Sequence, residues 1–562
     1  MARTTVVRFV LGLVLLLVAG VALILIFKPK GDGVSAVAQV KVDTSQHVAM
    51  VGDIVGAVVN EHYWTASDPI HPDWHDDYLG RTIEPVRALS PASGRKFAIR
   101  FGHTPTDGSW GRDGYHWIDA LDPKEWATSI DELLEYTDRV GAEPYVAANF
   151  GSGTANEAAS FVAYVNGTDP ENQYVRMRIE RGRLEPYNVQ HWIIGFEPYA
   201  LWETGHAADR AFDYANPQAR NGGDPPWHGK PASNPEHYAA RAAQYARDMR
   251  AASPTPIRLY APLNNWDLAY YGGPEASVDA IVPVLAEHVD GLAIHFYPTN
   301  TGYGQSDEDL LGRPESLAER IDLLRSLLAR HGPRARQLEI VDIEFNNSSQ
   351  SNEQTHQLVN AVFLADTMRV FAEKDVRSAF YFAVSTSQGH GSGFTLFEHG
   401  DVKQPMPTYL AMQLMARHLG AEVVSSDVMR SRMVTAKGGK AGPLTYPSLT
   451  TLASLSPDRR TLYLVVVNKH LAHDQRAEID LGSVRPGGHA RVTLLVGGTP
   501  QAMAGDVRLV ESQHAIGSSL PGGAMLNVLA TQVPFLQTSF SYTFPAYSVT
   551  GIEIPLAAPA RR

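Results

Sequence analysis

The sequence has no cysteine at all. Disulfides, thiolate metal sites and cysteine-linked lipid anchors are therefore excluded. It also lacks any basic run that would offset its net charge of −12, which argues against nucleic acid as a partner. Neither the 19% of charged residues nor the 44% of hydrophobic ones departs from an ordinary globular composition. At 562 residues the chain is long enough for about two to four domains and a large buried core.

One uncharged stretch stands apart. Residues 9–27 (FVLGLVLLLVAGVALILIF) are flanked by Arg3 and Arg8 before and by Lys28 and Lys30 after. As a helix such a stretch rises about 28 Å, close to the thickness of one hydrocarbon core. A cleavable signal carries an apolar region of only about 7–15 residues. The stretch therefore reads as an uncleaved N-terminal transmembrane helix, with the body of the chain extracytoplasmic, in the periplasm or at the cell surface. Lysines after the span weaken the positive-inside signal. Ala36-Val37-Ala38 offers a small-residue cleavage site for the alternative, a signal sequence and a secreted chain.

Beyond it, strand, loop and capped helix alternate. The run EPYVAANF ends in a Gly-Ser-Gly loop, and Thr154 with Glu157 reads as a capping box that opens a helix. Upstream, Asp122-Pro123-Lys124-Glu125 reads as an N-cap, and Gly141 ends a helix with Trp126, Ile130, Leu133, Leu134 and Val140 on one face. Further helices are expected at 314–331 and 353–372. Eight candidate strands, near residues 50, 98, 146, 193, 258, 292, 340 and 381, make an α/β fold, a (β/α)8 barrel. After about residue 420, TLYLVVVNKH, ARVTLLVG and FSYTFPAYSVTGIEIPL read as short strands without helices, a C-terminal β-sandwich domain. The expected division is an anchor at 1–30, a linker at 31–46, the barrel at 47–419 and the sandwich at 420–562. His71, Asp73, His75 and Asp76 match no zinc-site spacing and read as a solvated loop.

Two segments carry chemistry. In HWIIGFEPY, an apolar run from Trp192 to Ile194 reaches Gly195, where the chain turns, then Glu197, with Pro198 barring continuation. QLEIVDIEFNN ends its apolar run at Glu344. Either glutamate alone would ordinarily be a solvated loop acid. Together they stand at the carboxyl ends of the fourth and seventh barrel strands, where loops open onto a pocket. Paired carboxylates there are what glycosidic hydrolysis needs, one to protonate the leaving oxygen and one to attack the anomeric carbon.

GYHWIDALDP, EPYVAANFGSGTANEAASFVAYVNG, QPMPTYLAMQLMARHLG and FPAYSVTGIEI resemble segments of clan A retaining glycoside hydrolases, most closely family 51 α-L-arabinofuranosidases. The resemblance covers roughly residues 95–557. It implies Glu197 as acid/base, Glu344 as nucleophile, Tyr297 as the aromatic that touches the nucleophile, and Arg100 as support for its charge. His295, two residues before Tyr297, would face the same side, and Asn149 and Glu61 would belong to the sugar pocket. Glu197 would be kept protonated by the apolar Phe196 and Trp192. No metal or organic cofactor is required.

The chain departs from the family where Phe196 replaces the asparagine that precedes the acid/base and binds the sugar 2-hydroxyl. GHTPTDGSWG likewise replaces the usual Pro-Gly-Gly segment. Either that hydroxyl is held by another residue, or the substrate differs, or activity is reduced or lost. The expected function is a retaining glycoside hydrolase acting on furanosides of a cell-surface or extracellular polysaccharide. The alternatives are a β-glucuronidase- or β-xylosidase-like specificity and a non-catalytic carbohydrate-binding protein.

Overall fold

The computed structural model describes residues 37–59, 78–102, 116–121, 129–150, 153–198, 235–265, 273–298, 306–348, 352–385, 395–397, 402–438, 443–512 and 538–557. Its first strand, β1 (Ala38–Met50), is followed by eight parallel strands that close into a barrel. These are β2 (Gly56–Val59), β3 (Ala98–Phe101), β4 (Glu143–Ala148), β5 (His191–Ile194), β6 (Arg258–Asn265), β7 (Gly291–Phe296), β8 (Glu339–Phe345) and β9 (Ser378–Ser385). β9 pairs in parallel with β2, so no edge is left open. Val58, Ala98, Ile193, Ala293, Val341 and Phe380 fill the interior. Alternate residues such as Ile99, Val146, Trp192 and Ile340 pack outward under the helices. Strands covered on both faces need this near-continuous apolar character.

The helical caps differ in detail from expectation. The cap expected at Asp122 lies outside the described residues, as does Trp126. The described helix Ile130–Val140 starts at Ser129, whose hydroxyl accepts from the Glu132 amide while the Glu132 carboxylate accepts from the Ser129 amide. Gly141 closes it with φ 78°, a left-handed turn that suits glycine. Thr154 accepts from the Glu157 amide, but the Glu157 carboxylate turns to His116 Nδ1 at 2.8 Å, so that box is one-sided. The helix expected from Pro314 begins at Asp307 (Asp307–Arg330), because Ser306 caps it and three acids fill its first turn.

The strands after the barrel are β10 (Glu422–Met429), a separate hairpin of β11 (Met433–Ala436) and β12 (Leu444–Pro447), β13 (Leu449–Leu455) and β14 (Thr461–Asn468). Then come β15 (Gln475–Asp480), β16 (Arg491–Val496), β17 (Arg508–Ser512), β18 (Ser539–Phe544) and β19 (Ser548–Pro555). Apart from the hairpin they join one nine-stranded sheet, in the order β17-β16-β19-β14-β13-β10-β1-β15-β18. The sheet curls on itself. Asn468 Nδ2, at the end of β14, donates to the Phe544 and Pro545 carbonyls beyond β18. One corrected expectation is the linker at 31–46. From Ala38 the chain is already strand β1, paired antiparallel to β10 and parallel to β15, and residues 47–50 belong to it rather than to the barrel. The cause is a period-two pattern: Ala38, Val40 and Val42 are buried, while Gln39, Lys41 and Asp43 are not. Residues 9–27 lie outside the described residues, and among the described residues no helix is long and apolar enough to cross a membrane.

A buried ionic cluster ties the sheet to the barrel. Lys469, just past β14, is fully buried; its Nζ lies 2.8 Å from Asp366 and 3.0 Å from Glu315. Asp366 also accepts from Arg369 Nε at 2.6 Å and from the Thr450 hydroxyl at 2.6 Å. The two cations hold its carboxyl well below the usual range, against the cost of burial. Removing one partner from such a cluster costs about 3–5 kcal/mol, because a charge is left buried and unpaired.

The opposite end of the barrel is plugged by aromatic rings. Tyr145 stacks on His191 at 4.2 Å, and His191 on Tyr260 at 5.9 Å. The Tyr145 hydroxyl donates to Asp53 and that of Tyr260 to Glu339. His191 Nδ1 lies 3.1 Å from the Tyr260 oxygen and must donate, since that hydroxyl proton is already used. Burial, then the neighbouring Arg377, Arg258 and Arg95, lower the imidazole pKa to about 3. An unfolded imidazole titrates near 6.5, so between these values the unfolded chain binds one proton more. Stability is whole above about pH 6.5 and falls as pH drops toward 3. At about pH 4 the loss is roughly 3 kcal/mol. Chemical denaturation of His191→Phe, which keeps the stack, should show a shallower decline over that window than the parent chain.

Candidate active site

The carboxyl ends of β3, β5, β7 and β8 bring the expected residues together. Arg100, on β3, is fully buried and its Nη2 donates to Glu344 Oε1, on β8. The Tyr297 hydroxyl, one residue past β7, donates to Glu344 Oε2 at 2.9 Å. Burial, then the Glu344 carboxylate, push the Tyr297 phenol well above its ordinary value, so it holds its proton and stays a donor. Glu344 is 6% exposed and has a cation on one oxygen and a hydroxyl on the other. This is the environment of a carboxylate that stays ionised and fixed in direction.

Glu197 reaches the same mouth by a sharp turn. Gly195 takes φ 87°, and a Cβ there would lie 2.5 Å from the Phe150 Cβ. Glu197 itself takes φ 38°, a left-handed conformation uncommon outside glycine and characteristic of strained functional turns. It is 7% exposed, with His295 Nε2 3.7 Å from its Oε1. Burial and the nearby Arg100 cation push the His295 imidazole well below its ordinary pKa. The contact is therefore between a neutral ring and a carboxyl rather than an ion pair. Both glutamates raise the Tyr297 phenol, Glu344 the more strongly.

The remaining residues divide. Phe196 lies half-buried under the Arg100 guanidinium, 4.9 Å from its ring centre, and edge-to-face with His295 at 5.3 Å. Trp192, expected beside Glu197, instead points outward; its ring meets Phe161 at 5.1 Å and its Nε1 donates to the Val189 carbonyl. A residue on a strand of period two that lies an odd number of positions from an inward neighbour must face the helices, as Trp192 does beside inward Ile193. Asn149 stands at the end of β4, where it lines a narrow crevice with Trp117, Glu157 and Phe161. Glu61 and the His71–Asp73–His75–Asp76 group lie outside the described residues, as does 103–115, which carries most of GHTPTDGSWG.

Two polar residues near the nucleophile had not been singled out. Asp342, two positions before Glu344, is fully buried, with the Glu344 backbone amide acting on its carboxyl. Burial raises its pKa well above the usual carboxylate value, which favours its neutral form. Asn346 donates from Nδ2 to the Phe382 carbonyl at 2.8 Å and accepts from the Asn347 amide, pinning the end of β8 to β9. Their signal in the sequence was an Asp inside a run that is otherwise apolar, and an Asn pair directly after it.

Tyr297→Phe removes one of the two donors to Glu344 and leaves the fold's apolar contacts in place. A hydrogen bond to a charged group contributes about 1.5–3 kcal/mol, so kcat/KM on an aryl glycoside should drop about tenfold to a hundredfold, measured on full-length chain.

The family model described as "Alpha-L-arabinofuranosidase 1 domain" matches residues 103–221. The chain is 25% identical over 420 residues to the probable α-L-arabinofuranosidase C of Aspergillus niger, a match covering 69% of this chain and 76% of that protein. It is also 25% identical over 441 residues to α-L-arabinofuranosidase C of Emericella nidulans, covering 71% and 79%. In fold it is similar to the α-L-arabinofuranosidase of Thermotoga maritima solved with arabinose. That match has a TM-score of 0.69 and 20% identity, over 92% of this chain and 100% of that one. In sequence and in fold the chain is similar to glycoside hydrolases, and it resembles the family 51 α-L-arabinofuranosidases.

Proposed function

We propose that the protein is a retaining furanosidase of the α-L-arabinofuranosidase kind, acting by double displacement on a polysaccharide outside the cytoplasm. The observation that carries this reading is the clamp of Arg100 and Tyr297 on Glu344, with Glu197 beside His295 at the end of the turn that follows β5. Glu344 attacks the anomeric carbon as the glycosidic C–O bond breaks, and Glu197 gives its proton to the departing oxygen. In the second half, water loses a proton to Glu197 and attacks the same carbon, releasing Glu344 and the sugar with its configuration retained. Tyr297 keeps its proton throughout and holds the nucleophile's second oxygen.

The test is hydrolysis by full-length chain of a panel of aryl furanosides and pyranosides, with the anomer first formed read by NMR. Turnover of the α-L-arabinofuranoside with retention is expected, and Glu197→Gln should slow it about 10²- to 10⁴-fold, the usual contribution of a general acid–base. Inversion, or undiminished activity in Glu344→Gln, would defeat the assignment. No turnover on any member, with sugar binding unchanged in Glu344→Gln, would return the protein to a carbohydrate-binding role.

The uncharged stretch at 9–27 supports a membrane anchor for this catalytic body. Full-length chain should then sediment with membranes, resist extraction at high pH and be released intact by protease treatment of the extracytoplasmic side. Recovery in the soluble fraction with a new N-terminus near Ala38 would instead mean a cleaved signal.

A further inference from the structure

Asp342 is an acid where the fold calls for an apolar side chain. Its neighbours in register are Ile294 on β7 and Ala379 on β9, both members of the apolar layer that packs under the helices. Val341 before it and Ile343 after it point into the barrel, so strand alternation turns the Asp342 carboxyl the other way. It is fully buried there. A leucine would fill that layer without taking a carboxyl out of water, whereas the acid costs stability. What the acid supplies, and leucine would not, is an acceptor.

The place where an acceptor is needed lies directly after it. Asp342 is the last residue of β8 in regular register with both neighbouring strands. Towards β7, Ile294 faces Asp342 but His295 faces Glu344, so Ile343 is extra. Towards β9, Asp342 faces Ala379 but Phe345 faces Tyr381, so Ile343 and Glu344 stand against Phe380 alone. Such a bulge disrupts the ladder locally, and a buried backbone amide has to find a partner. The amide of Glu344 acts on the Asp342 carboxyl two residues back. An aspartate that takes the amide two positions on closes a local turn, which competes with the extended strand. By that departure from the strand Glu344 leaves its alternate face and reaches Arg100 and Tyr297.

We propose that Asp342 is a positioning residue for the nucleophile: its buried carboxyl accepts the Glu344 amide in the β8 bulge and so aims the Glu344 carboxylate at the anomeric carbon. The inference rests on the retaining-glycosidase reading. Arg100 and Tyr297 fix the carboxylate end of Glu344, and Asp342 fixes its backbone end. Burial favours the neutral form of Asp342, which suits the task, because a second charge behind the nucleophile would oppose the ionised Glu344. The accepting atom is then a carbonyl oxygen, which asparagine also has.

The experiment uses full-length chain in excess over 4-nitrophenyl α-L-arabinofuranoside, or over whichever aryl glycoside the parent hydrolyses best. The saturating rate of nitrophenol release then reads the attack of Glu344, and half-saturation reads binding. Asp342→Leu should lower the saturating rate about a hundredfold with half-saturation little changed, the scale of a reacting group misplaced by about 1 Å. Its urea midpoint should stay at or above the parent's, a divergence that a merely structural role would not give. Asp342→Asn should keep the rate within about fivefold of the parent's, since its carbonyl still takes the amide. A parent-like rate in Asp342→Leu, an Asp342→Asn chain as slow as Asp342→Leu, or a loss confined to half-saturation overturns the inference and leaves the glycosidase reading intact. Should Asp342→Leu not fold, Asp342→Ala against Asp342→Asn decides by the same comparison. If the parent releases nitrophenol from no glycoside, the glycosidase reading fails and this inference falls with it.

Discussion

A carboxylate nearly sealed from water is the constraint on which the site depends. Glu344 has almost no contact with solvent, and an isolated ionised carboxyl in such a place would neutralise rather than stay charged. What holds it ionised is Arg100, itself fully buried, from the far side of the barrel sequence. The two come from β3 and β8, separated by 244 positions in the chain. Only closure of the sheet brings them together, so the ion pair and the barrel depend on each other. Breaking the pair would leave a buried charge on either side, the most costly kind of deletion in a protein interior.

A regular strand alternates its side chains, and regular alternation would not serve. Both strands that supply the nucleophile and its neighbours break register where they reach the pocket. β7 shifts against β8 between Ile294 and His295, and β8 against β9 between Asp342 and Phe345. A local register break re-aims side chains without disturbing the rest of the strand. Here Val341 and Ile343 stay in the interior core while the following Glu344 also comes inward to meet Arg100 and Tyr297. On β5 the same result is reached by backbone conformation, with positive φ at Gly195 and again at Glu197. The cost of these irregularities is borne by a large, well-packed surround, and they cluster at the mouth, where function needs them.

Much of this was legible in the residues. The two glutamates stood out because each ends an apolar run, while the roles of Arg100 and Tyr297 came from the resemblance to family 51. What was not legible follows from physics that a linear reading lacks. Trp192 was expected beside Glu197 because it is near in sequence, yet strand alternation sends it to the opposite face. β1 was hidden because half of its residues are small or polar; its partners, β10 and β15, lie more than 370 residues away. Asp342 could be seen as an acid within an apolar run, but whether such a group is paired, solvated or neutral depends on neighbours that only the fold supplies.

The charges around the two glutamates support the division of labour between them. Arg100 touches one carboxylate and is covered by Phe196 on the side facing the pocket. Glu197 is approached by His295, which burial keeps neutral. A carboxylate must keep its charge to attack, whereas an acid must hold a proton and then release it. A cation held against one member of the pair favours its charged form and so helps to separate those tasks. Phe196 lies between the two supports, its ring against the guanidinium and edge-to-face with His295.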